Sequence, residues 1–87
     1  MLHLYVLINV APKARHYIGI TDNLAARLAA HNSGRVRSTK PYRPWRMVYT
    51  EEYASRTEAR RRELFLKRTA RARKDIFDSI SNIGPIV

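Results

Sequence analysis

The stretch Leu2–Val10, LHLYVLINV, decides the fold. It is nearly continuous in apolar and β-branched residues and has the length of one strand. A strand with one wet face alternates apolar with polar. This one does not, so it reads as buried on both faces and central in its sheet. Period two places His3, Tyr5 and Leu7 on one face and Leu4, Val6 and Ile8 on the other. Ala11–Arg15, APKAR, has a proline and two cations and reads as a hairpin connection. His16–Thr21, HYIGIT, is the return strand, with Tyr17 facing opposite to His16 and Ile18. Gly19 marks a close backbone approach or a bulge.

Working outward, Thr21 or Asp22 is the expected cap of a helix reaching about Asn32. Leu24 and Leu28 form one pair on it, and Arg27 and His31 a second pair on an adjacent stripe. Gly34 is the expected stop. Arg35–Arg46, RVRSTKPYRPWR, is a basic loop. Cations interleaved with Tyr42 and Trp45 suit a nucleic-acid surface, with Arg35, Arg37, Lys40, Arg43 and Arg46 for phosphate. Trp45 itself is expected to pack beneath the loop. Trp45–Tyr53 is a third strand, with Trp45, Met47 and Tyr49 expected on one face.

Ser55–Lys67, SRTEARRRELFLK, is an amphipathic helix opened by a capping box of Ser55 and Glu58. Ala59, Glu63 and Leu66 share one face, which puts a single carboxylate among the inward residues. On this helix alone a Glu63–Lys67 salt bridge accounts for it, at about 0.2–0.5 kcal/mol on an exposed helix. Glu58 lies about 140° around the helix from Glu63, and the cap already employs it. Thr69 is the expected cap of a last helix, with Ala72, Ile76 and Ile80 on one stripe and Phe77 beside it, ended by Gly84-Pro85. The expected fold class is α+β: a small three-stranded, mainly antiparallel sheet flanked by helices, in the order β-β-α-β-α-α, as one domain over residues 1–87.

The formal net charge is +10, from 17 Lys and Arg against 7 Asp and Glu. Such a chain attracts a polyanion, nucleic acid first, and the spread of its cations over several elements argues against a membrane surface. There is no cysteine, which excludes disulfides, zinc-thiolate sites and thiol catalysis and fits a cytoplasmic location. No stretch is long enough to span a bilayer, and the apolar start lacks the basic flank of a leader.

Tyr5 and Tyr17 on paired strands, Arg27 and His31 one helical turn apart, and a late inward Glu63 form an ordered set. In this set the chain resembles the GIY-YIG nuclease superfamily, and within it the small single-domain bacterial group. His3-Leu4-Tyr5 stands at the first triplet, matching in its tyrosine, and Tyr17-Ile18-Gly19 is the second triplet, intact. Arg27 falls in the family's arginine spacing, inside RLAAHNSG, and Thr57–Glu63 is similar to the family's late helix. The resemblance runs from about His3 to the last helix. Two departures are the first triplet and Ile20, where some members carry a lysine.

The resemblance implies divalent-metal-dependent hydrolysis of phosphodiester bonds, with DNA as the leading substrate and RNA as the alternative. It implies Glu63 as ligand of Mg²⁺ or Mn²⁺, which need only one carboxylate when water and phosphate complete the shell. Arg27 offers a planar fork for phosphate oxygens. Tyr17 or Tyr5 would position or deprotonate the attacking water. A free phenol titrates near pH 10, so a tyrosine base needs nearby cations. His31 is the alternative base, and the choice among the three stays open. With no further domain expected, targeting would come from charge, from the Arg35–Arg46 loop or from a protein partner; the oligomeric state is left open. Two other classes compete: a basic nucleic-acid-binding module that cleaves nothing, and an adaptor that docks an acidic protein.

Overall fold

Leu2–Asn9 forms the middle strand, β1, in a computed structural model that describes residues 1–9 and 15–83, with side chains through residue 80. It lies between β2 (His16–Thr21) and β3 (Trp45–Tyr53) and runs antiparallel to both. Helices α1 (Leu24–Asn32), α2 (Arg56–Arg68) and α3 (Ala70–Ile83) complete the expected order, with a 3₁₀ turn at Lys40–Tyr42 before β3. Most of the expected Ala11–Arg15 connection and the Gly84-Pro85 stop lie outside the described residues. Asn9 ties the two ends of that connection together. Its backbone N–H donates to the Arg15 carbonyl at 3.3 Å, and its side-chain oxygen accepts the Arg15 N–H at 2.8 Å.

Both faces of β1 are covered, as a strand apolar on both sides requires. Leu4 and Val6 join Ile18, Val48, Leu66 and Ile76 beneath α2 and α3. Tyr5 and Leu7 join Trp45 on the other face, with Leu24 and Leu28 of α1 packed against them. Burying each such side chain contributes about 1.5–3 kcal/mol, so two thin layers sharing one strand suffice for a short chain. The α3 stripe packs as expected: Ile76 is buried in the first layer, with Ala72, Phe77 and Ile80 against it. No helix of the described residues is long and apolar enough to cross a membrane.

Two local features differ from the sequence reading. β3 carries a bulge: Val6 pairs with Tyr49 but Leu7 pairs with Met47, so Val48 is the extra residue. Trp45 and Met47 stay on the Tyr5 face while Val48 and Tyr49 both pack on the opposite one, so the expected common face of Trp45, Met47 and Tyr49 ends at the bulge. The cap of α1 is Asn23 rather than Thr21 or Asp22; its side-chain oxygen accepts the Ala26 N–H at 3.0 Å. Thr21 instead exchanges hydrogen bonds with the Asn23 backbone, making the turn that precedes the cap. Thr69 stands where it is expected, at the cap position of α3: its backbone is extended and its carbonyl accepts the Arg73 N–H at 3.2 Å. The Arg73 guanidinium donates to the Leu66 and Lys67 carbonyls at 2.7 and 2.9 Å, satisfying the open end of α2.

At the start of α2 the Ser55 half of the expected capping box is present. Ser55 Oγ accepts the Glu58 N–H at 3.3 Å, and Ala59, Glu63 and Leu66 are its buried residues. The helix is tied to β3 by Glu51. That carboxylate accepts two bonds from Arg62, at 3.0 and 3.1 Å, and one each from the Tyr49 and Tyr53 hydroxyls at 2.5 and 2.6 Å. Burial pushes the Glu51 carboxyl up, but the four donors outweigh it and hold its pKa below the ordinary carboxylate range.

Candidate active site

Tyr5 is the centre of a polar cluster on the α1 face. The strand alternation sends it into that layer, where it is 0 % exposed. Its ring lies over Gly19 on β2. A Cβ built at Gly19 would stand 2.5 Å from the Tyr5 hydroxyl and 2.7 Å from its Cζ. The close approach expected at Gly19 is therefore that of a tyrosine ring, and a hydrogen is the only side chain that leaves room for it. Tyr17, two residues before Gly19, is half-buried, with its ring centroid 6.1 Å from that of Tyr5.

Helix α1 delivers the other two members. Arg27 Nε donates to the Tyr5 hydroxyl at 3.1 Å. One turn on, His31 is 0 % exposed, and its Nε2 lies 3.0 Å from the same hydroxyl. The His31 ring also meets Tyr17 edge-on, with centroids 4.8 Å apart. The i,i+4 spacing thus lets two side chains of one helix grip one phenol.

The environment keeps the inner pair neutral. Burial pushes the Tyr5 phenol up to about 12, against the opposing pull of the Arg27 hydrogen bond. Burial, reinforced by the Arg27 charge, pushes His31 down to about 4. Proton transfer from Tyr5 to His31 is therefore strongly uphill. Neither buried group meets solvent, whereas Tyr17 does: it lines an open cavity of about 200 Å³ with His16, Ile18, Lys67 and Arg73.

Glu63 comes from the opposite side of the sheet. It is 4 % exposed, and its carboxylate is met by Arg60 Nη1 at 2.7 Å and Lys67 Nζ at 3.0 Å. The expected Lys67 pair is present, joined by Arg60. Lys67 also lines the Tyr17 cavity, so α2 reaches β2 beside Tyr17. No group of three or more His, Cys, Asp or Glu side chains gathers anywhere among the described residues in a way that could hold a metal ion.

The basic loop sits beside α1. Arg35, Arg37, Lys40, Arg43 and Arg46 are all exposed. Gly34 turns the chain at φ 84 after α1, a backbone conformation open mainly to glycine. Trp45 packs beneath the loop, 4 % exposed, and its indole N–H donates to the Thr39 carbonyl at 3.0 Å. Tyr42 is half-buried with the Arg15 guanidinium 4.3 Å over its ring.

Sequence reading missed two residues here. Thr39 is buried, and its hydroxyl lies 2.8 Å from His31 Nδ1. Asn32 accepts the Trp45 N–H at 2.7 Å and donates to the Trp45 carbonyl at 3.1 Å, fixing α1 to the start of β3. A threonine inside a run of cations carries no local signal of such a role; only its distance from His31 in space reveals it.

Comparison with known proteins gives the family. The family model of the GIY-YIG catalytic domain matches residues 1–75. A UPF0213 protein of Staphylococcus haemolyticus is 44% identical over 59 residues, covering 67% of this chain and 72% of the relative. A UPF0213 protein of Streptococcus pneumoniae is 40% identical over 63 residues, 71% of this chain and 64% of the relative. One of Halobacterium salinarum is 34% identical over 76 residues, 86% of this chain and 96% of the relative. The match thus spans less than two thirds of the Streptococcus protein and nearly all of the Halobacterium one. No solved structure matches the chain. A family model covering most of the chain, on a β-β-α-β-α-α fold with the YIG triplet under a buried tyrosine, makes this protein a member of the GIY-YIG nuclease superfamily.

Proposed function

We propose that the chain is a divalent-metal-dependent endonuclease that hydrolyses phosphodiester bonds in DNA. The observation that carries this reading is the Arg27 fork, held by its Nε to a buried phenol beside the half-exposed Tyr17. A guanidinium anchored at one nitrogen presents its terminal nitrogens in a fixed plane, which suits the non-bridging oxygens of a phosphodiester. Tyr17, half-exposed where Tyr5 and His31 are buried, orients the attacking water and, once ionised to the phenolate, takes up its proton. Tyr5 and His31, buried and neutral, hold Arg27 and Tyr17 in place. The exposed Arg35, Arg37, Lys40, Arg43 and Arg46 bind the flanking backbone without reading sequence. A protein of this kind works on nucleic acid in the cytoplasm, as one domain over residues 1–87.

Glu63 suits a hard divalent cation. Its carboxylate is almost fully buried, yet the two cations that neutralise it are themselves well exposed, Arg60 by 59% and Lys67 by 46% at the side chain. Both cations reach solvent and can swing away, so one Mg²⁺ or Mn²⁺ could take the place of both at the buried carboxylate. One carboxylate suffices for ions that keep several waters and bind substrate phosphate. When bound, the ion supplies charge neutralisation at phosphorus and a more acidic water.

The same ion pairs favour a second reading, a binding module that holds nucleic acid through its charge and cuts nothing. Labelled single-stranded, duplex and branched DNA, with RNA alongside, separate the two in Mg²⁺, Mn²⁺ and EDTA. The nuclease reading expects metal-dependent cutting by the wild type that is lost in a folded Glu63→Ala still able to bind. Binding without cutting in any metal supports the second reading. Equal cutting by both proteins refutes Glu63 as the ligand.

A further inference from the structure

The hydrogen bonds behind the Arg27 fork form one unbroken chain, and its ends fix its direction. Arg27 Nε carries a hydrogen and has no acceptor lone pair, so it donates to Tyr5. At the far end the Thr39 hydroxyl donates to the Val36 carbonyl at 3.3 Å, and a carbonyl only accepts. Between these ends stand a phenol, an imidazole and a hydroxyl, each with one hydrogen to give. With the Thr39 hydrogen given to Val36, one ordering supplies a hydrogen to every link of this chain. Tyr5 receives from Arg27 and donates to His31 Nε2; His31 donates from Nδ1 to Thr39 Oγ1; Thr39 donates to Val36.

We infer that Thr39 is the positioning residue of this site: it holds His31 as the Nδ1–H tautomer and, through His31 and Tyr5, fixes the oxygen that anchors the Arg27 fork. The placement of Thr39 supports this. Its hydroxyl is buried, and its backbone carbonyl is held by the Trp45 indole N–H. The Trp45 contact fixes the backbone, and turning the hydroxyl away from His31 would also break its bond to the Val36 carbonyl. The exposed cations Arg37 and Lys40 stand two residues before it and one after, so the loop expected to meet nucleic acid also carries the far end of the chain. A neutral imidazole has a single ring hydrogen, and burial with the Arg27 charge keeps His31 neutral across the working range. Loss of the Thr39 hydroxyl leaves Nδ1–H without an acceptor in a buried place, a cost that the Nε2–H tautomer avoids. In that tautomer Tyr5 receives two N–H bonds and must turn its own hydrogen elsewhere, which disturbs the Arg27 anchor.

The part of this inference that concerns catalysis rests on the nuclease reading; the tautomer does not. The test is ¹⁵N NMR of the histidine side chains in the full chain. The sequence has three histidines, and His3→Gln and His16→Gln variants assign the signal of His31. The wild type is expected to show hydrogen on Nδ1 and none on Nε2. Thr39→Val, which keeps the shape and removes the hydroxyl, is expected to move His31 toward the Nε2–H form, and Thr39→Ser to restore it. A wild type with the hydrogen on Nε2, or a Thr39→Val with an unchanged tautomer, overturns the inference. In a cleavage assay Thr39→Val should lose about tenfold or more in kcat, as loss of such supporting partners does at other sites. Its KM should stay unchanged, and Thr39→Ser should recover most of the rate. A Thr39→Val that switches tautomer yet cleaves at the wild-type rate overturns the catalytic half. A wild type with the expected tautomer that cuts no substrate leaves the proton order standing and removes the nuclease reading. Because the wild-type spectrum is itself decisive, a poorly folded variant does not shield the inference.

Discussion

Gly19→Ala should destabilise this protein far more than a glycine in a strand would ordinarily predict. The added methyl would sit 2.5 Å from the Tyr5 hydroxyl, 2.7 Å from its Cζ and 3.0 Å from Tyr17 Cε1. Unstrained carbon contacts lie at about 3.5–4.0 Å, so something must yield. Tyr5 has little room to retreat. It is fully buried, and its hydroxyl is held by Arg27 at 3.1 Å and His31 at 3.0 Å. Overpacking of this kind costs about 1–3 kcal/mol. Displacing the phenol weakens two hydrogen bonds worth about 0.5–1.5 kcal/mol each. The smaller freedom of alanine in the unfolded chain returns only about 0.4–1 kcal/mol. The net loss should be about 2–4 kcal/mol, read as a shift in urea midpoint or a fall in Tm of about 10–25 °C for a domain of this size. A Tyr5→Phe background removes the nearest contact, so the double variant should lose less than the two single losses combined. A Gly19→Ala within about 0.5 kcal/mol of the wild type would refute the argument that Tyr5 is locked over β2.

Three further outcomes follow from the charges. His31 should stay unprotonated until about pH 4. The unfolded chain takes up that proton near pH 6.5, so this residue's contribution is intact above about 6.5 and falls as pH drops toward 4; an NMR titration that finds His31 charging near 6.5 in the folded protein would contradict this. Glu51 has its pKa lowered by its donors, so its contribution is present above the ordinary carboxylate range and is lost as pH falls through the lower folded value; Glu51→Gln should be less stable at neutral pH and lose less on acidification, as urea midpoints at several pH values would report. Replacing Arg35 or Arg37 by alanine should weaken DNA binding about equally on all sequences and reduce the salt slope by about one per cation; a sequence-dependent loss would mean base contacts.

Much of the fold was legible because burial dictated it. Leu2–Asn9 is apolar on both faces because it is the middle strand, and nothing else in the chain has that pattern. The inward Glu63 showed in the spacing of Ala59, Glu63 and Leu66, since helix periodicity is set by geometry rather than by context. Other features depend on contacts that no local pattern records. The bulge at Val48 leaves no mark in WRMVYTEEY, yet it turns Tyr49 onto the other face. Thr21, Asp22 and Asn23 are all capable caps, and only the path of the chain selects Asn23. The sequence named Tyr5, Tyr17, Arg27, His31 and Glu63 as a set; the first four lie together on one face of the sheet, and Glu63 stands apart from them on α2. It offered no way to rank them, because their difference is exposure: Tyr5 and His31 are sealed, and Tyr17 is not. Thr39 escaped notice for the same reason, since its partner is joined to it only by the fold.

The most direct test of the proposed site is single-turnover cleavage of a labelled duplex by Tyr17→Phe, beside a wild type shown to cut in Mg²⁺ or Mn²⁺. DNA binding and folding are matched first. The proposal expects Tyr17→Phe to bind normally and to cut about 10²–10⁴-fold more slowly, the usual loss when a proton-accepting group is removed. Cutting by Tyr17→Phe at the wild-type rate would show that another group activates the water and that the assignment built on the exposure of Tyr17 is wrong.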